Sequence, residues 1–267
     1  MRKGVIVVLA CMLIVLTLSV NVSCNKSPAT ETISFDKKDV KVIAHRGLSG
    51  LEVENTDSAF IVAGAHSYYG IETDLRRTAD GKFVICHDDT LYRLSGQNVA
   101  IESTALNELL SIPLYDKNTE TPGEERLTTL DSYIEICKRY DKQAILELKS
   151  NFTEEEIVRI IGIINAHDYI DKVTFISFGY DNLLYVRKVL PNHSVQYLFS
   201  TLSNEIVDML IRDKIDVAIN HKALTQKALK KFHDAGLKVN CWTVDEKAEA
   251  EKLAKWGVDY ITTNILE

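Results

Sequence analysis

The sequence predicts an α/β fold, a (β/α)8 TIM barrel with a small insertion after its second strand. From residue 41 onward, short β-branched runs alternate with amphipathic stretches of helical length, which is typical of a parallel sheet built from βα units. Eight such runs with their helices fit a closed barrel better than a doubly wound open sheet. The barrel domain is predicted to span residues 37–267.

The eight predicted strands are short and lie between segments of helical length. They cover residues 41–45, 70–75, 144–149, 172–177, 195–200, 216–220, 237–242 and 259–263. The helical segment at 153–167 begins with a capping box, in which Thr153 precedes Glu156 by three residues. Helix and strand are therefore expected to alternate around the barrel.

The connection between the second and third strands breaks this rhythm. It holds an additional strand at 82–87, a polar stretch, and a helix near 129–140. Long irregular segments in compact domains are usually functional or mobile, so we interpret residues 88–126 as a small cap beside the site. A loop on the outside of the barrel is the alternative.

The N-terminus has the pattern of an export signal, and residues 1–24 are predicted to be a signal peptide. Arg2 and Lys3 precede an apolar run that is short for a bilayer span of about 20 residues, which disfavours the alternative of a retained anchor. Residues 22–24 resemble a bacterial lipobox, although Asn21 stands where an aliphatic residue is usual. We expect an exported protein in the periplasm or at the cell surface, lipid-anchored at Cys24, with cleavage without lipid as the alternative.

Charge and cysteine content exclude several classes of partner and cofactor. Residues 25–36 are rich in Ser, Thr, Lys and Pro and are predicted to be a polar tether. The formal charge of −7 gives no general attraction to nucleic acid, and contact with a membrane is expected only through the lipid. The cysteines beyond the tether, Cys86, Cys137 and Cys241, lack the spacing of a disulfide framework or a thiolate zinc site.

Three carboxylates fall near the ends of two neighbouring predicted strands. Glu72 and Asp74 lie two residues apart and leave the same face of the second strand, while Glu147 and Lys149 repeat this spacing in the third. Solvated acids and a Glu–Lys ion pair are the plain alternatives. In a buried parallel strand, however, unpaired carboxylates are costly, and a divalent cation with oxygen ligands is the natural compensation.

Two histidines and an arginine follow strand ends of the same region. His45 and Arg46 end the first strand, and the guanidinium is a fixed fork of donors suited to phosphate oxygens. His87 ends the additional strand, where Asp88 and Asp89 alternatively form a plain turn. A histidine at a strand end is often structural, but the adjacent Arg46 favours function. Together with the carboxylates, these groups predict metal-assisted phosphoester cleavage.

The motifs in this order resemble the glycerophosphodiester phosphodiesterase family, and the resemblance covers essentially all of residues 41–263. The matching elements are His45-Arg46-Gly47, Glu54-Asn55-Thr56, Glu72-Thr73-Asp74, His87-Asp88, Glu147-Leu148-Lys149 and Trp242-Thr243-Val244. The resemblance implies hydrolysis of a small-molecule glycerophosphodiester to glycerol 3-phosphate and an alcohol. It also implies Mg or Ca held by Glu72, Asp74 and Glu147, a general acid and base at His45 and His87, and phosphate-binding cations at Arg46 and Lys149.

Other matched positions are expected to support or line the site. Glu54 and Asn55 are expected to support Arg46 or the metal without ligating it. The resemblance places Trp242 at the mouth as an apolar wall for glycerol, with a core position as the alternative. Phe178 is expected to form the opposite wall, and Thr56 to cap the helix that follows it.

Two positions depart from the family pattern. Val53 replaces the usual proline before Glu54, which is expected to loosen the loop after the first strand. Asn264 stands where an aspartate is common, and this change is expected to affect only peripheral contacts. Two rival functions remain: a phospholipase-like enzyme on the same barrel, and a catalytically silent lipoprotein that binds phosphorylated alcohols.

Overall fold

The computed structural model describes residues 30–267. The predicted signal peptide, Cys24 and residues 25–29 of the predicted tether lie outside the described residues. Within the described range, the strands are β1 (Lys41–Ala44), β2 (Gly70–Arg77), β3 (Phe83–Ile85), β4 (Thr128–Thr129), β5 (Gln143–Leu148), β6 (Val173–Ser177), β7 (Val195–Phe199), β8 (Asp216–Asn220), β9 (Val239–Trp242) and β10 (Tyr260–Thr263).

The helices lie between these strands. They are α1 (Asp57–Ala65), α2 (Tyr92–Ser95), α3 (Leu106–Ser111), α4 (Leu130–Arg139), α5 (Glu154–Ala166), α6 (Tyr180–Val189), α7 (Asn204–Asp213), α8 (Gln226–Asp234) and α9 (Lys247–Trp256). Thr56 accepts a hydrogen bond from the backbone of Ala59 and caps α1, and both hydrogen bonds of the predicted Thr153–Glu156 capping box are present at α5.

Eight parallel strands close the barrel, as predicted. The order β1-β2-β5-β6-β7-β8-β9-β10 returns to β1, which pairs with both β2 and β10. The predicted strand ends are correct to within two residues, and Lys149 lies one residue beyond β5. β2 extends beyond the barrel and pairs antiparallel with β3, which in turn pairs with β4.

An apolar floor closes the barrel interior. Side chains from five strands form it, namely Ile43, Ile145, Ile176, Leu198 and Ala218. Since side chains of a strand alternate between faces, the residue two positions further along faces the interior again, one layer nearer the carboxyl end. The larger core lies between the barrel and its helices, so the interior above the floor is left for polar groups.

Residues 88–126 contain α2, a 3-10 helix at Ile101–Ser103, and α3. Their sequence is polar on average, yet they contribute most of a second apolar cluster that includes Leu91, Ile101, Leu109 and Leu114. Val53 joins this cluster from the loop after β1. Burial of Val53 therefore anchors the loop that its replacement of proline was expected to loosen. No helix within residues 30–267 is both long and apolar enough to cross a bilayer.

Candidate active site

A cavity opens at the carboxyl ends of the barrel strands, above the apolar floor. Its empty volume is about 570 Å³, including space open to solvent. The lining combines ionisable groups with an apolar side and consists of His45, Arg46, Glu72, His87, Glu147, Lys149, Ile176, Phe178, Leu198, Asn240, Trp242, Thr243 and Thr262. His45, Glu147, Phe178 and Trp242 each lie two residues beyond an interior-facing side chain of their strand, which explains why they meet here.

The three predicted carboxylates converge at this cavity, where Glu72 and Glu147 line it and Asp74 lies beside them. Glu72, Asp74 and Glu147 each offer an oxygen, and these atoms lie within 4.8 Å of one another. Asp74 and Glu147 are register partners on the neighbouring strands β2 and β5. Oδ1 of Asp74 is buried and has no hydrogen-bond partner among residues 30–267. Three buried carboxylates with an unsatisfied oxygen fit a hard divalent cation, so the trio is a candidate metal site.

Electrostatics supports this interpretation. Burial, followed by the charges of Asp74 and Glu147, raises the pKa of Glu72 well above its usual value. Burial and Asp74 also raise the pKa of Glu147 to about 7. Burial opposes ionisation of Asp74 as well, but Arg46 and Lys149 lower its pKa to about 2. Arg46 and Lys149 therefore offset the charge of Asp74. Glu72 and Glu147 keep raised pKa values, and a bound cation would supply the further positive charge that favours their ionised forms.

The turn after β1 presents Arg46 to the carboxylates. Its backbone amide donates to Oε2 of Glu72 at 2.8 Å, and its Nε lies 3.3 Å from Oδ2 of Asp74. Its Nη1 donates to Oε1 of Glu54 at 2.8 Å. Arg46 has a φ of 54°, a left-handed conformation that is strained for a side chain of this size. Gly47 follows at 76°, where an added Cβ would lie 2.7 Å from the Ala59 backbone.

Asn55 supports both the turn and a carboxylate. Its backbone amide donates to the carbonyl of Arg46 at 3.0 Å, which holds the loop ends together. Its Nδ2 donates to Oδ2 of Asp74 at 2.8 Å, and its Oδ1 accepts from the hydroxyl of Thr73 at 2.8 Å. The amide is thus held at both ends and occupies Oδ2 of Asp74, while Oδ1 of Asp74 lies 3.7 Å from Nζ of Lys149.

The ring of His45 is held by Asn264, a residue that was expected to affect only peripheral contacts. Its Nδ1 lies 2.7 Å from Oδ1 of Asn264, whose Nδ2 donates to Oδ2 of Asp245 at 2.6 Å. A carboxylate only accepts hydrogen bonds, so Asp245 orients the amide of Asn264 with its oxygen towards His45. Nδ1 of His45 therefore carries the proton, and Nε2 is left as an acceptor 4.0 Å from Oε2 of Glu72.

The expectation that Asn264 affects only peripheral contacts is therefore wrong. Asn264 lies two residues beyond Thr262, an interior position that lines the cavity. This period-two relation is visible in the sequence and is the signal that places Asn264 at the cavity. Asp245 carried no such signal, because it lies in the turn after β9 and reaches Asn264 only where this turn meets the turn after β10. Burial, followed by the charge of Arg46, lowers the pKa of His45 to about 4.

His87 faces the cavity from the segment after β3. Its Nδ1 lies 2.7 Å from Oδ1 of Asp88, so its Nε2 is turned away from this partner. Arg76 donates two hydrogen bonds to the backbone carbonyl of His87, at 2.7 and 3.1 Å, and fixes the chain there. Burial lowers the pKa of His87, although the nearby charge of Asp74 opposes this shift. Lys149 lies beside the trio, with Nζ 3.1 Å from Oε1 of Glu147.

The apolar side of the cavity differs from the expectation of two opposite walls. The rings of Phe178 and Trp242 pack edge to face with their centroids 5.6 Å apart. Because the two rings touch, they form one continuous wall, and their placement on opposite sides is wrong. Phe178 is 47% exposed, and the buried Nε1 of Trp242 has no hydrogen-bond partner in the described part of the chain.

The barrel and this cavity define a hydrolytic enzyme. A carboxylate trio suited to a cation, two histidines with an oriented ring nitrogen, and two cationic side chains are the groups that phosphodiester hydrolysis requires.

Comparison with known proteins identifies the family. The model of the glycerophosphoryl diester phosphodiesterase family matches residues 45–267. The chain therefore belongs to this family.

Among curated relatives, a glycerophosphodiester phosphodiesterase of Caldanaerobacter subterraneus subsp. tengcongensis is 29% identical over 229 residues, which cover 84% of this chain and 93% of that protein. A solved Oleispira antarctica phosphodiesterase, in complex with the product sn-glycerol-3-phosphate, is 28% identical with a TM-score of 0.78, covering 84% of this chain and 92% of that one. A glycerophosphodiester phosphodiesterase structure from Parabacteroides distasonis is 29% identical with a TM-score of 0.72, covering 86% and 94%.

Proposed function

We propose that this protein hydrolyses glycerophosphodiesters to glycerol 3-phosphate and an alcohol with the help of Mg or Ca bound by Glu72, Asp74 and Glu147. The observation that carries the proposal is the convergence of the carboxylate trio, both histidines, Arg46 and Lys149 on one cavity. The product seen in the Oleispira antarctica enzyme supports the choice of substrate. A bound divalent cation would supply Lewis-acid stabilisation for charge on the phosphate oxygens.

The protein groups divide the remaining work. Nε2 of His45 accepts the proton of the attacking hydroxyl, because the neutral ring is held with that nitrogen bare. The attacking oxygen, from water or from the glycerol hydroxyl, forms a bond to phosphorus as the bond from phosphorus to the alcohol oxygen breaks, and Nε2 of protonated His87 donates its proton to the departing alcohol oxygen. Where the glycerol hydroxyl attacks, water then opens the resulting cyclic phosphate to give glycerol 3-phosphate. Arg46 and Lys149 bind the phosphate, and the wall of Phe178 and Trp242 contacts the glycerol carbons.

The test is hydrolysis by purified protein of glycerophosphocholine, glycerophosphoethanolamine, glycerophosphoglycerol and glycerophosphoinositol, with an intact phospholipid as a further substrate. We expect glycerol 3-phosphate from at least one diester, loss of activity with chelator, and recovery with Mg or Ca. Cleavage of the phospholipid alone would replace this proposal with a phospholipase-like function. Binding without turnover would indicate a silent binding protein, and full activity in chelator would overturn the metal assignment.

We further propose export of the protein and lipid attachment at Cys24. The charged, apolar and lipobox-like segments of residues 1–24 support this proposal. Cys24→Ala is expected to move the protein from the membrane fraction to a soluble fraction without a change in specific activity, while Ser27→Ala, in the predicted tether, serves as the control. An unchanged membrane fraction for Cys24→Ala would contradict lipidation and favour an uncleaved anchor.

A further inference from the structure

Arg93, in the insertion of residues 88–126, donates hydrogen bonds to two carboxylates, and each of these carboxylates contacts a different side chain of the site. Arg93 lies in α2, and its side chain is 47% exposed. Its Nη1 and Nη2 donate to the two oxygens of Glu54 at 2.8 and 2.7 Å, and its Nε donates to Oδ2 of Asp88 at 2.7 Å. The fixed fork of the guanidinium thus links two carboxylates that are 34 positions apart in the sequence.

Each of these carboxylates also holds a group that lines the cavity. Oε1 of Glu54 accepts from Nη1 of Arg46, and Oδ1 of Asp88 contacts Nδ1 of His87. Arg46 and His87 line the cavity, whereas Glu54, Asp88 and Arg93 are absent from the lining that the structure describes. Arg93 therefore stands behind the site and reaches it only through other side chains.

Arg93 also supplies the positive charge that keeps both carboxylates ionised. Burial would raise the pKa of Glu54, but hydrogen bonds and charge from Arg93 and Arg46 hold it below its usual value. Burial likewise opposes ionisation of Asp88, and Arg93 with His87 lowers its pKa. Without Arg93, each acid would keep one partner only, and its second oxygen would be free to turn towards solvent.

We infer that Arg93 is a positioning residue that sets the orientation of His87 relative to Arg46, and through it the insertion contributes to catalysis. This inference rests on the proposed function. The role of residues 88–126 is then to carry Arg93, because α2 brings Arg93 over the loop after β1. The apolar cluster holds α2 against Val53 of that loop. A lysine at this position would place one charge but lacks the fork that contacts both acids.

The insertion contains a matched control. Arg126 donates only to the nearby backbone carbonyls of Gly123, Glu124 and Glu125 within the described structure. Arg126→Gln removes an arginine that lies in the same segment but, among residues 30–267, donates no hydrogen bond to Glu54 or Asp88. It therefore reports the general cost of losing an arginine from the insertion.

The test compares Arg93→Gln, Arg93→Lys and Arg126→Gln in steady-state kinetics, metal titration and thermal melting. We expect Arg93→Gln to lower kcat by about 10²-fold, since small misplacements of reacting groups have effects of this size. Metal affinity should stay unchanged because Arg93 does not contact the trio. Arg93→Lys should recover only part of kcat, and Arg126→Gln should match the parent protein. Near-native kcat in Arg93→Gln would overturn the inference.

Two further measurements separate positioning from general stability and from the proposed function. Combining Arg93→Gln with Asp88→Asn should cost less than the product of the two single losses, because both act on His87. Nitrogen NMR of the histidine rings without substrate should show a changed His87 and an unchanged His45 in Arg93→Gln. If the parent protein has no diesterase activity, the proposed function fails while the NMR result still decides the role of Arg93; an unchanged His87 ring would overturn it.

Discussion

His45 and His87 face the same cavity, but the barrel holds one and the insertion holds the other. Nδ1 of His45 contacts the neutral amide of Asn264, and its side chain is 18% exposed. Nδ1 of His87 contacts the carboxylate of Asp88, and its side chain is 33% exposed. A carboxylate partner stabilises an imidazolium more than an amide does, so the difference favours His45 as the base and His87 as the acid.

The largest expected effect tests this division of roles. His45→Ala and His87→Ala should each lower turnover by about 10²–10⁴-fold while leaving metal-dependent melting intact, because the carboxylates remain. The double variant should cost less in free energy than the sum of the singles, since both histidines serve one reaction. Glu72→Ala should instead lower turnover and metal-linked stability together.

His233→Ala is the control for the histidine variants, because His233 contacts Asp259 and is absent from the described lining of the cavity. Turnover on a confirmed substrate and melting with and without metal are the measurements. Near-native turnover in both His45→Ala and His87→Ala would contradict acid–base catalysis by histidine. If only one of them retained turnover, that histidine would be structural.

The next prediction tests how the barrel holds His45, by exchanging the amide of Asn264 and the carboxylate of Asp245. Asn264→Asp alone places two carboxylates within hydrogen-bond distance of one another, so we expect a drop in both stability and kcat. Asp245→Asn alone leaves the orientation of the Asn264 amide undetermined. The double variant Asp245→Asn with Asn264→Asp keeps each donor opposite an acceptor and should recover most of the stability.

The double variant also changes the pH dependence. It places a carboxylate against Nδ1 of His45, which raises the pKa of His45 above its present value of about 4. A base works only when deprotonated, so the acid limb of the pH–rate profile should move to higher pH. If the single and double variants have equal stability, Asp245 does not orient Asn264. An unmoved acid limb would contradict the role of His45 as the base.

The contrast between the barrel and the insertion also explains which site residues could be predicted from the sequence. Strand periodicity places His45, Glu72, Asp74 and Glu147 at one end of the barrel, because the closed sheet brings the carboxyl ends of its strands together. The eight strands and the trio follow from this rule. Lys149 also lies beside the trio even though the strand ends one residue before it.

The supports of the two histidines could not be predicted in the same way. Asp245 meets Asn264 only when the turns after β9 and β10 come together, and Arg93 meets Glu54 only when the insertion folds over the loop after β1. These contacts depend on loop conformations that no periodic pattern encodes. The contact between the rings of Phe178 and Trp242 likewise depends on the side-chain rotamers at the mouth.

A smaller effect tests the strained turn on the barrel side. Gly47→Ala puts a side chain at a φ of 76° and a Cβ 2.7 Å from the backbone of Ala59, so we expect a loss of about 1–3 kcal/mol in the free energy of unfolding. Gly162→Ala in α5 is the matched control, because an added Cβ there meets no atom within 4 Å in the described structure. It should raise stability by up to about 1 kcal/mol.

Urea unfolding measures both glycine variants. Turnover should fall for Gly47→Ala because Arg46 shares the turn, and it should be unchanged for Gly162→Ala. Equal stabilities for the two variants would show that the turn after β1 tolerates a side chain and is not strained.

The smallest effect concerns the side chain of Glu267, which is absent from the cavity lining that the structure describes, and it tests whether acid sensitivity arises outside the cavity. The carboxylate of Glu267 accepts from the hydroxyl of Thr32 at 2.9 Å and contacts Nδ1 of His66 at 2.7 Å. Burial opposes its ionisation, but hydrogen bonds from Ser67, His66 and Thr32 lower its pKa to about 2.

Since the pKa of Glu267 is lower in the folded than in the unfolded protein, its contribution to stability is fully present above the unfolded value of 4.5 and declines as the pH falls towards 2. Glu267→Gln should therefore reduce the free energy of unfolding at pH 7 by less than about 1 kcal/mol, with a smaller difference at pH 3. The exposed Glu124→Gln is the control, and urea unfolding at both pH values is the measurement. Turnover should be unchanged in Glu267→Gln, because the contact lies outside the cavity; a difference in stability that grows as the pH falls would contradict the direction of the pKa shift.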